Sequence, residues 1–135
     1  PVRGVGTILV ADDENDVRAM VRAMLESFGY VVLEASDGRE AVALYRERSG
    51  EIDLVLLDMM MPGMTGEEAF AEIRRIAPSA RALLVSGYDE RGRIGEIVAS
   101  GFSGFLQKPF RRWELGRKVS EALETVIGKE ASNGQ

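Results

Sequence analysis

The stretch IDLVLLDMMMPGMTG, residues 52–66, determines the predicted fold of this chain. Its apolar run up to Leu57 does not alternate with polar residues, which is typical of a parallel strand covered by helices on both faces. The run ends in a carboxylate, Asp58, and Pro62 and Gly63 then stop the strand and begin a loop. Ligands bind at the carboxyl ends of the strands in open α/β sheets, so Asp58 is placed for chemistry.

Four other segments share the apolar character of this central strand, and helical periodicity separates them. The predicted strands cover residues 7–11, 30–34, 52–58, 82–85 and 104–106. Between them, apolar residues recur at the spacing of one buried helix face. Five strands alternating with five helices predict a doubly wound α/β fold, with a five-stranded parallel sheet in the flavodoxin-like order 2-1-3-4-5.

The predicted helices differ in how firmly we expect the core to hold them. The first has a continuous apolar face that includes Met20, and the third begins at a capping pattern formed by Thr65 and Glu68. The segment 90–100 offers three apolar residues for burial, Ile94, Ile97 and Val98. We therefore expect the helix in this segment to be the least firmly anchored.

A length of 135 residues suits one domain with a single sizeable core. We expect this domain to cover residues 1–128, since the last amphipathic helix reaches Gly128. The polar tail, residues 129–135, is expected to fray.

Composition excludes several classes of function. The chain contains no cysteine and no histidine, which removes disulfides, thiolate and imidazole metal sites, and Ser-His-Asp catalysis. A formal net charge of -5 predicts no binding to nucleic acid or to an anionic membrane surface. No apolar run is long enough to span a bilayer and the first residues do not form a secretory signal, so we expect a cytoplasmic protein without direct membrane contact.

Acidic side chains follow two strands that the predicted order makes neighbours. Asp12 and Asp13 come after the first strand, and Asp58 ends the third, so the three carboxylates should converge at one edge of the sheet. Converging carboxylates repel one another unless a cation neutralises them, and an all-oxygen ligand set selects a hard ion such as Mg²⁺. Because Mg²⁺ commonly completes its coordination with phosphate oxygens, the site is predicted to receive a phosphoryl group.

Two more polar residues follow strands at the same edge, Ser86 after the fourth and Lys108 after the fifth. A lysine can pair with Asp58 at rest and with a phosphoryl oxygen later, and a hydroxyl can bind another oxygen. Asp58 would then attack as a carboxylate nucleophile. Taken singly, each residue also fits a structural role: a turn for Asp58, helix-entry acids for Asp12 and Asp13, a surface lysine and a serine cap. Their joint placement favours a phosphoryl site.

Four motifs, in this order and spacing, resemble the receiver domain of two-component response regulators: ILVADDEND, LVLLDMMMPGMTG, LLVSGY and FLQKPF. The resemblance spans roughly residues 7–127. It implies a regulatory phosphoacceptor in a phosphorelay, supplied by a sensor histidine kinase or a histidine phosphotransfer protein. Phosphorylation would change the face formed by the fourth helix, fifth strand and fifth helix, which also offers a surface for a weak dimer.

The resemblance implies roles for the residues that follow the first and third strands. Asp58 would be the phosphoacceptor, and Asp12 and Asp13 would hold Mg²⁺ together with Asp58 and the backbone carbonyl of Met60. The bulky side chains of Met60 and Tyr88 stand beside the implied site and hinder an attacking water. We therefore predict a long-lived phosphoaspartate.

The resemblance also implies roles for residues of the last two strands. Ser86 and Lys108 would assist the transfer, and the peptide bond before Pro109 would be cis. Ser86 and Phe105 would form the switch, although Phe105 lacks the hydroxyl that a tyrosine could bring to it. Phe105 fits a plain core residue equally well.

Three other functions are compatible with a sheet of this kind. A Mg²⁺-dependent aspartyl-phosphate hydrolase of the haloacid dehalogenase type needs a second aspartate two residues after the nucleophile, where this chain has Met60. A flavin-binding electron carrier needs phosphate-binding donors after the first strand, where this chain has acids. A binding module that keeps only the fold would not need the complete acid and lysine set. We therefore expect a phosphoacceptor that assists its own phosphorylation and slow dephosphorylation, and not an enzyme.

The parent protein of such a domain stays open at the level of sequence. The pairing of LLVSGYDE with GFLQKPF more loosely resembles receivers at the carboxyl end of hybrid sensor histidine kinases. No output domain follows Ile127, so we expect either a stand-alone regulator or a receiver cut from a longer protein. Trp113 fits packing and a partner contact equally well.

Overall fold

The computed structural model describes residues 5–87 and 90–133, with 125–133 described by their backbone alone. The strands in this part of the chain form one parallel sheet in the order β2-β1-β3-β4-β5. They are β1 (Thr7–Ala11), β2 (Val31–Ala35), β3 (Leu54–Asp58), β4 (Ala82–Ser86) and β5 (Gly104–Gln107). The predicted fold class and strand order are confirmed.

Helices cover both faces of this sheet. They are α1 (Asn15–Ser27), α2 (Gly38–Arg48), α3 (Gly66–Ile76), α4 (Ile94–Ala99) and α5 (Arg112–Asn133), with a 3-10 turn at Arg91–Arg93 leading into α4. The buried residues of α1 and α5 join one apolar cluster, and those of α2, α3 and α4 join another. The sheet therefore lies between two cores.

The central strand β3 supplies side chains to both cores in alternation. Leu54 and Leu56 lie in the cluster with α1 and α5, whereas Val55 and Leu57 lie in the cluster with α2, α3 and α4. None of these four side chains is more than 2% exposed. Burial on both faces explains why the strand is apolar throughout.

The start of α3 is fixed by the predicted capping box. The Glu68 backbone N–H donates to the Thr65 hydroxyl at 3.1 Å, and the Thr65 backbone N–H donates to the Glu68 carboxylate at 2.9 Å. Both bonds satisfy donors that a helix N-terminus otherwise leaves free. The capping box therefore fixes the residue at which the loop after β3 ends and α3 begins.

The apolar faces of α1 and α4 are narrower than we predicted. Met20 is 44% exposed, since the buried face of α1 is centred on Val21 and Leu25 and Met20 lies outside it. Ile94 and Val98 are 42% and 52% exposed, and Ile97 alone is buried on α4. A helix this short turns only one side chain fully into the core, so α4 has the weakest anchoring of the described helices.

The helix α5 continues past Gly128, where we expected it to end, to Asn133. One glycine in a helix costs about 1 kcal/mol, and the lysine, glutamate and alanine that follow favour the helix. Within the described residues, no helix combines the length and the apolar character that crossing a bilayer requires.

Candidate functional site

Three acids meet at the carboxyl ends of β1 and β3. Asp12 follows the last residue of β1, Asp13 comes next, and Asp58 is the last residue of β3. One carboxylate oxygen from each acid lies within 4.8 Å of the others. Asp12 and Asp58 are buried and Asp13 is exposed. The structure thus brings together the acids that the sequence placed at this edge, with Asp13 on the solvent side.

Lys108 extends into this group of acids from the end of β5. Its Nζ lies 3.0 Å from Asp12 Oδ2, 3.5 Å from Asp58 Oδ1 and 3.8 Å from Glu14 Oε1. The hydrogen bond goes to Asp12, and the pair with Asp58 that the sequence suggested is present as a longer contact.

Burial and charge shift the pKa values of Asp58 and Lys108. Burial raises the pKa of Asp58 to about 6, and the charge of Asp12 adds to this, while Lys108 lowers it in part. Burial acts to lower the pKa of Lys108, but its hydrogen bond to Asp12 and the charges of Asp58, Asp12 and Glu14 raise it overall. Lys108 therefore stays protonated, and it compensates the negative charge on Asp58 only in part.

The donor set of this site fits a hard divalent cation. Three carboxylates supply oxygen ligands only, and neither histidine nor cysteine occurs in the chain. Such ligands suit Mg²⁺ rather than Zn²⁺ or a copper ion. Burial, and to a smaller extent the charge of Asp12, disfavour the ionised form of Asp58, and a bound cation would stabilise that form.

Backbone hydrogen bonds hold the two ends of the loop that follows β3. The Met59 N–H donates to the Val85 carbonyl at 2.7 Å, and the Gly66 N–H donates to the Met59 carbonyl at 3.0 Å. A Cβ atom at Gly66 would stand 2.5 Å from the Asp58 carbonyl oxygen. Glycine is therefore required where α3 begins, because any side chain there would displace the backbone of Asp58.

The remaining predicted site residues lie on or beside β3, β4 and β5. Ser86 ends β4 and is fully buried, and its carbonyl accepts from the Lys108 N–H at 2.7 Å. Phe105 lies within β5 and is 9% exposed, packed in the core with α2, α3 and α4. The peptide bond before Pro109 is cis. Met60 is 57% exposed.

Tyr88, predicted to stand beside the site, lies outside the described residues. Two polar residues next to the acids were not predicted. Glu14 approaches Lys108, as described above, and the Arg18 guanidinium donates to the Asp12 carbonyl at 2.6 Å. The spacing of Arg18 from Asn15 places both on one helix face, and the Arg18 Nη2 donates to Asn15 Oδ1 at 2.8 Å, but no spacing in the sequence indicates the contact with Asp12.

Comparison with known proteins identifies relatives of two kinds. The family profile described as response regulator receiver domain matches residues 8–120. The chain is 39% identical over 121 residues to the sensor kinase CckA of Brucella abortus, covering 90% of the chain and 13% of the kinase. It is 35% identical over 120 residues to the chemotaxis protein CheY of Thermotoga maritima, covering 88% of the chain and 95% of CheY. It thus spans nearly all of one relative and a small part of the other.

Solved structures share the architecture described above. A response regulator receiver domain protein from Clostridium thermocellum superposes with a TM-score of 0.84 at 28% identity, over 90% of this chain and 97% of that one. The structure of a CheX-CheY complex with BeF3 and Mg²⁺ from Borrelia burgdorferi gives a TM-score of 0.80 at 27% identity, over 84% and 86% of the two chains.

Proposed function

This chain belongs to the family of response regulator receiver domains, the phosphoacceptors of phosphorelay signalling, and we propose that Asp58 is the residue that accepts the phosphoryl group. The observation that carries this proposal is the placement of Asp58. It is a buried carboxylate at the end of the central strand, within 4.8 Å of two other acids and 3.5 Å from a lysine. A carboxylate in this setting has the charge to attack phosphorus and has neighbours that can bind the arriving oxygens.

The transfer replaces a P–N bond by a P–O bond. A carboxylate oxygen of Asp58 attacks the phosphorus of a phosphohistidine on the partner, and the P–N bond breaks with its electron pair returning to the imidazole. The product on this chain is an acyl phosphate. With a pKa of about 6, Asp58 is mostly ionised near neutral pH, so no general base is needed to prepare the nucleophile.

Asp12, Asp13 and Asp58 are the residues that would hold Mg²⁺, together with the Met60 carbonyl. When bound, Mg²⁺ supplies charge neutralisation to phosphoryl oxygens that would otherwise be repelled by the acids. Asp12 is held for this task through both carboxylate oxygens, by the Glu14 N–H at 2.9 Å and by Lys108 at 3.0 Å.

Lys108 and Ser86 serve the phosphoryl group after its arrival. The lysine ammonium, already 3.5 Å from Asp58 Oδ1, binds one phosphoryl oxygen as a charge-assisted donor. The Ser86 hydroxyl binds another oxygen and moves the end of β4 toward Asp58. Phe105 lies one strand further along, in β5, and turns inward as Ser86 moves.

The response is carried by the surface formed by α4, β5 and α5, here termed the α4-β5-α5 face. The weak anchoring of α4 supports this assignment, since Ile97 is its one buried side chain and few contacts resist its displacement. Ile94, Val98 and Trp113 are exposed on α4 and α5, which suits contact with a partner or a weak dimer.

The donor partner is a sensor histidine kinase or a histidine phosphotransfer protein. Similarity to a segment of the sensor kinase CckA and to the whole of CheY supports both a hybrid-kinase and a stand-alone setting. We propose that the domain assists its own phosphorylation and slow dephosphorylation without turning over a separate substrate.

Incubation with acetyl phosphate and Mg²⁺, followed by intact mass measurement, tests this function. The wild type and Asp16→Asn, which changes an exposed acid in the first turn of α1, should each gain one phosphoryl group. Asp58→Ala, and the wild type in EDTA, should gain none. A wild type that stays unmodified, or an Asp58→Ala variant that is still phosphorylated, would overturn the proposal.

A further inference from the structure

Arg18 connects α1 and β2, through one guanidinium group, to the segment after β1 that contains Asp12 and Asp13, here termed the acidic loop. Its Nη1 donates to the Asp12 carbonyl at 2.6 Å, its Nε to Glu34 Oε1 at 3.0 Å, and its Nη2 to Asn15 Oδ1 at 2.8 Å. The side chain is 15% exposed. A guanidinium that donates hydrogen bonds to three different acceptors is held in one orientation.

The contact with Asp12 bears on the peptide unit that joins Asp12 to Asp13. The Asp12 carbonyl belongs to that peptide, so fixing its oxygen fixes the plane from which the Asp13 chain continues. On the other side of the residue, the Asp12 N–H donates to the Ala35 carbonyl of β2 at 3.2 Å. The direction of the exposed Asp13 side chain therefore depends on the bond from Arg18.

We infer that Arg18 is a positioning residue for the Mg²⁺ site, holding the Asp12–Asp13 peptide so that the Asp13 carboxylate faces Asp12 and Asp58. This inference rests on the proposed function, because that function requires Mg²⁺ and the inference assigns Arg18 a role in binding it. Glu34 completes the arrangement from β2, because it holds the far side of the guanidinium.

Arg22 offers a matched comparison within the same network. It donates to Glu34, as Arg18 does, and to Glu26 at 3.1 Å, and both acceptors lie away from the acidic loop. Arg22→Met therefore removes a similar ion pair without releasing the Asp12 carbonyl.

The charge of Arg18 and its positioning of the peptide have opposite effects on Mg²⁺ affinity, so a measurement of affinity separates the two. A guanidinium beside the site repels a divalent cation, so removal of its charge alone would strengthen Mg²⁺ binding. Loss of positioning weakens binding, because partners that orient metal ligands are typically worth about tenfold or more in affinity. Arg18→Lys keeps the charge and cannot reach three acceptors at once, so it reports positioning alone.

Isothermal titration calorimetry with Mg²⁺, without any phosphodonor and below the melting temperature of every variant, measures the relevant affinity. Arg18→Lys and Arg18→Met should bind Mg²⁺ about tenfold more weakly than the wild type, and Arg22→Met should match the wild type. At saturating Mg²⁺, phosphorylation of Arg18→Lys by acetyl phosphate should regain the wild-type rate, since the loss lies in binding the ion.

Equal or tighter Mg²⁺ binding by Arg18→Lys would overturn the inference, as would equal weakening by Arg22→Met. A slower maximal rate with unchanged Mg²⁺ affinity would also overturn it. Failure of the wild type itself to bind Mg²⁺ would instead remove the proposed function on which the inference rests.

Discussion

Lys108 Nζ lies 3.0 Å from Asp12 Oδ2 and 3.5 Å from Asp58 Oδ1, so one ammonium group pairs with the acid that follows β1 and with the acid that ends β3. This arrangement places a cation next to Asp58. Burial keeps the pKa of Asp58 raised, at about 6, although a lysine is close. The lysine therefore offsets only part of the penalty on the ionised form of Asp58.

Replacement of Lys108 by methionine should slow phosphorylation by acetyl phosphate by about tenfold or more, because a preorganised donor to the phosphoryl oxygens is lost. Initial rates from intact mass at saturating Mg²⁺ measure this effect. Arg117→Met is the control, since Arg117 pairs with Glu121 at 3.1 Å on the surface of α5. Equal rates for Lys108→Met and the wild type would remove the lysine from the mechanism.

Asp58→Asn should stabilise the metal-free protein near neutral pH. The pKa of Asp58 is about 6 in the folded protein against 3.8 for the ordinary group, so its ionisation costs stability as the pH rises through this window. The cost is absent below the lower value and complete above the higher one, at about 1–3 kcal/mol.

Urea unfolding in EDTA at several pH values measures the difference between this variant and the wild type. The advantage of Asp58→Asn should be largest near neutral pH and should shrink as the pH falls toward 4. An advantage that does not change with pH would contradict the assignment of the raised pKa to Asp58.

Gly66→Ala should both destabilise the fold and displace Asp58. The added Cβ would stand 2.5 Å from the Asp58 carbonyl oxygen and 3.0 Å from Leu84 Cδ1, and overpacking of this kind costs about 1–3 kcal/mol. Gly95→Ala, in α4, meets no atom within 4 Å and should gain up to about 1 kcal/mol from helix propensity.

Urea unfolding and initial phosphorylation rates of the two alanine variants test this contrast. We expect Gly66→Ala to be impaired in both measurements and Gly95→Ala in neither. Wild-type behaviour of Gly66→Ala would show that the loop after β3 adapts without moving Asp58.

Met60→Asn should shorten the lifetime of the phosphoaspartate. The Met60 side chain is 57% exposed, two residues after Asp58, where an apolar group hinders water and an amide can orient it. Decay of the phosphorylated mass after removal of the donor measures the lifetime, with Met20→Asn as a control at an exposed methionine of α1. Unchanged or slower decay in Met60→Asn would count against shielding by this side chain.

The architecture could be predicted from the sequence because the residue pattern of β3 indicates which environment surrounds the strand. An apolar run from Leu54 to Leu57 that ends in Asp58 is compatible with burial on both faces and little else, and the register of β1 and β3 then brings Asp12 near Asp58. Convergence of the acids followed from strand order alone. The helix start at Thr65 followed from local hydrogen bonding that the sequence contains in full.

What the sequence did not predict depends on distances within the folded chain. Apolar periodicity suggested that Ile94 and Val98 would be buried, but the short α4 turns only Ile97 inward. Lys108 Nζ lies closer to Asp12 than to Asp58, at 3.0 Å against 3.5 Å, and strand order alone does not determine so small a difference. The reach of Arg18 to a backbone carbonyl depends on a rotamer, which no periodicity encodes.

Identification of the phosphorylated residue tests the central claim most directly. After treatment with acetyl phosphate and Mg²⁺, borohydride reduces an aspartyl phosphate to homoserine, and peptide mass spectrometry locates the changed residue. We predict homoserine at position 58 and unmodified aspartate at positions 12 and 13. Homoserine at position 12 or 13 in place of 58, or aspartate at all three positions, would contradict the assignment of Asp58 as the acceptor.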